Sequence, residues 1–166
     1  MDARTTSHAM MGATSVERKG DTELVATRLF DAPPALVYRA WAVPELFRRW
    51  WVPEGFGISL VGCDMDVRTG GKYRLEFAAG EGGSMAFYGQ YLEVVPGERI
   101  VWTNDEGEEE GAVTTVTFAA HGEGQTLLTF HEAYPSAEAL EEAMQGSAKG
   151  LPAQMDQLAT LLPTLV

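Results

Sequence analysis

Two β-patterned runs joined by a Pro-Gly turn place the tightest constraint on how this chain can fold. They extend from Gly89 to Thr103, with Pro96 and Gly97 at the centre. Proline pre-sets φ at the first turn position, and glycine can take the positive φ that a tight reversal often needs. The segment therefore predicts a β-hairpin.

Further strand patterns lie on both sides of this hairpin. β-Branched and aromatic residues recur without breakers from Glu23 to Phe30, which predicts a first strand. Runs bounded by turn residues predict further strands over 58–65, 72–77, 86–95, 99–104, 112–119 and 126–131. Short strands with hairpin turns between them are typical of an antiparallel meander. Gly89 lies in mid-strand, where we expect a bulge that deepens the curvature of the sheet.

Two short helices are predicted between the first two strands. Pro34 opens the first helix, because proline suits the first turn, where amide hydrogens lack partners. Pro44 opens the second, which runs to Trp50 and Trp51 before Pro53 ends it. Consecutive helical residues diverge by about 100°, so these two indoles cannot both face one core from a regular helix. Either one packs inside while the other reaches a cavity rim or a partner surface, or both are plain packing residues.

The C-terminal segment carries the pattern of one long amphipathic helix. Apolar residues recur there at helical spacings, at Leu140, Met144, Ala148, Leu151, Met155, Leu158 and Leu162. Ser136 is expected to cap its N-terminus. Gly146, Gly150 and Pro152 are expected to distort or interrupt the helix, since proline has no amide hydrogen to donate. We therefore expect one kinked helix to cross one sheet.

Length, charge and cysteine content narrow the class of protein. The 166 residues suit one domain, expected over 21–166 after a flexible N-terminal arm over 1–20. The net charge of −12 argues against nucleic acid and anionic membrane surfaces as partners. Cys63 is the lone cysteine, which excludes an intramolecular disulfide, and we expect it to be a small buried hydrophobe. No apolar run suggests membrane insertion or a signal peptide, so the cytoplasm is the expected location.

Four segments resemble one known family. They are Ala32-Pro33-Pro34 with Val37 and Trp41, the segment from Pro44 to Trp51, Gly70-Gly71-Lys72-Tyr73, and the hairpin from Gly89 to Thr103. Together they resemble the activator of heat-shock protein 90 ATPase homologue family of the START-like (SRPBCC, birch-pollen-allergen-like) superfamily. The resemblance implies an α+β helix-grip fold, in which a curved antiparallel sheet of six to seven strands wraps on a long C-terminal helix. One departure is Gly150-Leu151, where the family often has Gly-Trp.

Catalytic and metal-binding motifs are absent from the sequence. With three histidines and one cysteine, no metal site is expected, and no cofactor is implied. The acidic run 105–110 lacks calcium-ligand spacing and is expected to be a solvated hairpin tip. An acid/base pair of His131 and Glu132 is conceivable, although a strand-end histidine bonded to backbone is the simpler interpretation. An enzyme would need a cluster of polar side chains in a cavity between the sheet and the C-terminal helix. The candidates for such a cluster are Arg74, Glu76, His131 and Glu132.

The expected function is binding of a small hydrophobic or aromatic molecule in a cavity between sheet and helix. Its expected lining is Trp50, Trp51, Tyr73, Leu75, Phe77, Trp102, Phe118, Phe130, Met144, Leu151 and Met155. The cavity should open near Trp50, Trp51 and the 80–83 turn. One alternative is a cyclase- or dehydratase-type enzyme on a polyketide-like substrate, and another, implied by the family name alone, is a chaperone-cofactor-like module. A homodimer stays open.

Overall fold

A curved antiparallel sheet forms one layer of the computed structural model, which describes residues 13–53, 55, 57–79, 83–105 and 111–165. Within those residues its strands are β1 (Ser15–Lys19), β2 (Glu23–Phe30), β3 (Ser59–Met65), β4 (Lys72–Ala78), β5 (Ser84–Val95), β6 (Arg99–Thr103), β7 (Val113–Ala120) and β8 (Thr126–Ala133). Their order in the sheet is β1-β2-β8-β7-β6-β5-β4-β3. The predicted meander is confirmed, and the described strands number eight rather than six or seven.

The additional strand is β1, which lies where the sequence predicts a flexible arm. It pairs with β2 in register from Ser15 opposite Thr27 to Lys19 opposite Glu23. Gly20, with a φ of 63°, supplies the left-handed backbone of the turn between them. The prediction is wrong for Ser15–Lys19 because backbone pairing to β2, rather than an apolar pattern, holds this strand.

Four α-helices of the described chain form the second layer. They are α1 (Pro34–Ala42), α2 (Pro44–Phe47), α3 (Ala137–Gln145) and α4 (Leu151–Leu161). A 3-10 helix, Ser147–Gly150, separates α3 from α4, and another, Leu162–Leu165, follows α4. None of these helices is long and apolar enough to cross a membrane.

The C-terminal segment is interrupted where the sequence predicts a break. The helix expected to be single becomes α3 and α4, because Gly146 leaves helical geometry at φ −120° and ψ −99°. Pro152 fits as an early residue of α4, where its missing amide hydrogen costs no bond. Ser136 caps α3 as predicted, its Oγ accepting from the amide of Ala139 at 3.1 Å.

Side-chain hydrogen bonds fix α4 on both sides of its axis. Gln154 Nε2 donates to the carbonyl of Trp51 at 2.5 Å, and Gln157 Nε2 donates to the carbonyl of Trp50 at 2.8 Å. From the sheet, Arg28 donates to Asp156 at 2.7 Å. Helix α4 is therefore held both to the segment after α2 and to strand β2.

Gly89 serves a different purpose from the one predicted. The irregularity between β5 and β6 falls between Tyr91 and Glu93 instead of at Gly89. At Gly89 the neighbouring strand approaches so closely that an added Cβ would lie 2.0 Å from the carbonyl oxygen of Thr103. Glycine is present there because the backbones of β5 and β6 lie too close together to leave space for a side chain.

Candidate ligand site on the concave face of the sheet

An aromatic cluster centred on Trp41 of α1 fills the middle of the space between sheet and helices. Its indole is 2% exposed, and its centroid lies 4.7 Å from that of Trp50, 5.8 Å from Trp51 and 6.0 Å from Trp102. Three further rings of the described residues contact it, those of Phe47, Phe118 and Phe130. Most of these contacts are edge-on or tilted, the geometries that aromatic pairs prefer. This arrangement is called the Trp41 cluster below.

The indole nitrogens of Trp41 and Trp50 have different hydrogen bonding. Trp50 Nε1 donates to the carbonyl of Ala40 at 2.9 Å. Trp41 Nε1 is buried and has no acceptor among the described residues. Leaving a buried donor unpaired costs roughly 1–3 kcal/mol, and such a group in a native protein calls for an explanation.

The consecutive tryptophans are buried to different extents. Trp50 is fully buried, whereas Trp51 is half-buried and stacks on Phe47 with centroids 4.8 Å apart. Helix α2 ends at Phe47, and the turn that follows carries both indoles, the amides of Trp50 and Trp51 donating to the carbonyl of Phe47 at 3.3 and 3.1 Å. The chain therefore buries one indole and leaves the other at the edge of the cluster.

A row of side chains next to this cluster carries polar groups across the sheet. Directly opposed residues of β2, β8, β7, β6 and β5 are, in that order, Leu24, Glu132, Thr114, Trp102 and Tyr91. Opposed residues point to the same side of a sheet, and the burial of Leu24, Thr114 and Tyr91 assigns this row to the concave face. Trp102 also contacts Trp41, so the row and the cluster meet at this residue.

Hydrogen bonds in this row converge on one carboxyl group. Asn104 Nδ2 donates to Thr114 Oγ1 at 2.9 Å, and Thr114 Oγ1 donates to Glu132 Oε2 at 2.7 Å. The hydroxyl of Tyr134 bonds to the other oxygen, Glu132 Oε1. Since Thr114 already accepts from Asn104, its single proton is free to go to Glu132. Glu132 is therefore positioned as a hydrogen-bond acceptor.

Burial governs the electrostatics of this carboxyl group. Desolvation raises the pKa of Glu132, and the hydrogen bonds from Tyr134 and Thr114 and the charge of His131 offset only part of that rise. The pKa of Tyr73 is also raised, by its burial and then by the negative charges of Asp105 and Glu132. A charge on Glu132 is thus costly in this setting.

Replacing Glu132 by glutamine should change how stability depends on pH. A carboxyl whose pKa is higher in the folded chain loses stabilising free energy as pH rises from its unfolded value of about 4.3 through the folded value. Glutamine keeps the shape and does not titrate. We expect urea unfolding from pH 4 to 8 to show that the free energy of unfolding of E132Q increases relative to that of the wild type as pH rises. The difference should become constant above the folded pKa of Glu132. Parallel curves would mean that this carboxyl is not desolvated.

Comparison with protein families identifies the chain. A sequence profile described as "Activator of Hsp90 ATPase homolog 1-like protein" matches residues 31–163. The chain belongs to this family. The predicted membership in the START-like superfamily, and with it the helix-grip fold, is confirmed.

Solved structures of bacterial proteins share this architecture. A Rhodobacter sphaeroides protein aligns with a TM-score of 0.82 at 21% identity, covering 92% of this chain and 99% of its own. A Mycobacterium smegmatis protein gives 0.76 at 26%, with coverages of 90% and 96%. A Chromobacterium violaceum protein gives 0.68 at 34%, with coverages of 84% and 96%. A comparison with curated proteins found no match.

In this family member His131 and Glu132 do not form the acid/base pair that the sequence left conceivable. His131 and Glu132 are consecutive strand residues, so their side chains point to opposite faces of the sheet. The imidazole Nε2 of His131 lies 2.6 Å from Glu23 Oε1 on the convex face, bonded to a carboxylate rather than to backbone. Arg74 and Glu76 also lie on the convex face, 3.5 Å apart and partly exposed. Of the four candidates for a polar cluster, only Glu132 faces the helices.

The predicted lining residues fall into two groups by exposure. Those buried in the core are Trp50, Tyr73, Leu75, Phe77, Phe118, Phe130, Leu151 and Met155. Those half-buried are Trp51, Trp102 and Met144, packed against that core. Sequence reasoning missed the central role of Trp41 and the polar groups Thr114, Asn104 and Tyr134. The predicted opening at the 80–83 turn falls mostly outside the described residues, as does the acidic run 105–110.

Other polar features of the described chain lie away from this face. A concavity of about 480 Å³ is lined on the convex side by Asp64, Lys72, Arg74, Tyr88, Gln90 and Asp105, with Tyr73 and Gly89 beneath. Acidic and basic side chains both line it, together with two tyrosine rings. Cys63 is half-buried with its sulfur 3.5 Å from that of Met65, and burial raises the pKa of its thiol. No three metal-ligating side chains converge among the described residues.

Proposed function

We propose that this protein binds a small hydrophobic or aromatic molecule between the concave face of the sheet and the C-terminal helices. The observation that carries the proposal is the buried indole N–H of Trp41, which has no acceptor among the described residues although six of their rings surround it. A packing core gains nothing from such a donor, whereas a bound molecule that presents an acceptor atom or the face of an aromatic ring to it would satisfy it.

The composition of this face supports the proposal. Small-molecule sites are mainly apolar and aromatic, with a few polar groups that fix orientation. Here the Trp41 cluster provides the apolar surface, and Glu132 with its hydroxyl partners provides the polar groups. Trp51, Trp102 and Met144 are half-buried, so apolar surface at the edge of the core is still open to contact. Proteins of the START-like fold family often bind hydrophobic ligands. We propose the cytoplasm as the location of this protein.

Titration with the uncharged fluorescent probe N-phenyl-1-naphthylamine tests the proposal. We expect saturable fluorescence enhancement in the wild type and about tenfold weaker binding in Trp102→Ala, since losing an aromatic contact costs on the order of 1.5 kcal/mol. Leu92→Ser is the control, because Leu92 is 44% exposed and lies outside the core cluster. Equal losses in both variants, or no saturable binding in the wild type, would contradict ligand binding and favour an interaction module.

A further inference from the structure

Glu132 differs from the other charged side chains that face the helices. Arg18, opposite Leu24, bonds Glu141 of α3 at 3.0 Å, and Arg28 of the same face bonds Asp156 of α4 at 2.7 Å. Each of these cations has a helix acid as its partner. Glu132 is the one carboxyl on the concave face of the described strands, and its bonds come from the hydroxyl groups of two neutral side chains.

The carboxyl group has room for further donors. Two carboxylate oxygens offer about four acceptor positions, of which Thr114 and Tyr134 occupy two. The bond from Asn104 to Thr114 keeps that hydroxyl turned toward Glu132. As far as the described part of the chain shows, two acceptor positions are therefore left for a group that is not part of the row.

Apolar surface lies directly beside these acceptor positions. Phe130 precedes Glu132 by two residues on the same face, and Trp102 is opposite Thr114. The rings of Phe130 and Trp102 lie 6.5 Å apart. At the far end of this row, Arg18 of edge strand β1 bonds Glu141 and so ties α3 to the sheet. A molecule on the concave face would place an apolar body on Trp102 and Phe130 and a polar end at Glu132.

We propose that Glu132 binds the ammonium group of an apolar amine, and that such amines are the class of ligand held on the concave face. This deepens the proposed function and rests on it. An ammonium fills the two acceptor positions and gives Glu132 the cationic partner that it does not have among the described residues. The net charge of −12 favours a cation over a fatty acid or another anionic amphiphile. Charge-assisted hydrogen bonds are also roughly twice as strong as neutral ones.

Three ligands that share one ring system separate the contribution of the polar group from that of the ring. They are 1-naphthylmethylamine, 1-naphthylmethanol and 1-naphthoic acid, titrated calorimetrically at pH 7.5. In the wild type we expect the amine to bind about tenfold more tightly than the alcohol, as a charge-assisted hydrogen bond implies, and the acid most weakly. In Glu132→Gln the affinity for the amine should fall to the affinity for the alcohol. The affinity for the alcohol should stay within twofold of its wild-type value.

Glu76→Gln is the matched control, because it removes one negative charge from the convex face and leaves the site intact. It should keep the full preference for the amine. Tightest binding of the acid, or a preference for the amine that survives in Glu132→Gln, would overturn the assignment. Equal binding of amine and alcohol in the wild type would overturn it while leaving the proposed function standing. If none of the three binds, the proposed function and this inference fail together.

The wild type alone supplies a second test if Glu132→Gln fails to fold. The groups around this carboxyl are Tyr134, Tyr73, the Arg18–Glu141 pair and, on the other face, His131. The naphthylmethylamine stays protonated from pH 5 to 8, whereas Glu132 ionises as pH rises. The affinity for the amine should therefore rise with pH while that for the alcohol stays flat. Parallel profiles for the two ligands would overturn the proposal.

Discussion

Replacing Gly89 by alanine is expected to destabilise the domain by more than about 3 kcal/mol, in the range of severe overpacking. A Cβ at this position would lie 2.0 Å from the carbonyl oxygen of Thr103 and 2.9 Å from its carbonyl carbon. Neither atom can move alone, because the same carbonyl accepts from the hydroxyl of Tyr73 at 2.6 Å. The Thr103 hydroxyl accepts from the amide of Gln90 at 3.0 Å, which fixes the two strands further.

Urea denaturation followed by circular dichroism measures this loss. Gly97→Ala is the matched control, since Gly97 has a φ of 78° and nothing within 4 Å of an added Cβ. Its free energy of unfolding should fall by only about 1 kcal/mol, the cost of placing alanine in the left-handed backbone region. Since Gly89 has no positive φ, similar losses in the two variants would contradict the close approach of β5 and β6 as the reason for glycine at this position.

Truncation of Trp41 to alanine is expected to cost about 3–5 kcal/mol, as for other fully buried aromatic residues. The reason is the six ring contacts that converge on this indole from α2, the segment after it, and strands β6, β7 and β8. Removing it leaves a void that neighbouring side chains cannot fill without leaving their own contacts. Thermal and urea unfolding together measure the loss.

Two controls separate packing from hydrogen bonding at this position. Trp51→Ala removes an indole of the same size that is half-buried, and should lose clearly less stability. Trp41→Phe keeps a ring and removes the unpaired N–H, so it should lose far less than Trp41→Ala. Equal losses for Trp41→Ala and Trp51→Ala would contradict the central position of Trp41 in the cluster.

Local sequence signals were sufficient for most of the fold. Pro96 and Gly97 make the predicted turn, in which the amide of Glu98 donates to the carbonyl of Val95 at 2.9 Å. Gly146 interrupts the C-terminal helix as expected. Both the turn and this interruption could be predicted because each depends on backbone preferences within a few residues. Strand β1 was not predictable in the same way. The segment Ser15–Lys19 has little apolar pattern, and its structure depends on pairing with β2.

The site was less predictable because it depends on strand register. Period-two alternation alone separates His131 from Glu132, so their opposite faces could have been predicted. The row formed by Glu132, Thr114 and Trp102 requires knowing which residues of β6, β7 and β8 lie opposite one another. Those pairings join residues far apart in sequence, and no local pattern specifies them. The central position of Trp41 likewise emerges only when α1 packs on the sheet.

The indole N–H resonances of the four tryptophans test the central claim most directly. We expect titration of the 15N-labelled protein with N-phenyl-1-naphthylamine to shift the Trp41 signal most, since its unpaired N–H gains a new environment. The Trp102 signal should shift as well, while that of Trp50 should move least, because its N–H stays bonded to Ala40. Assignment follows from single Trp→Phe variants. Saturable shifts led by Trp41 are the predicted result, and unchanged Trp41 and Trp102 signals at saturating probe would contradict a ligand site on the concave face.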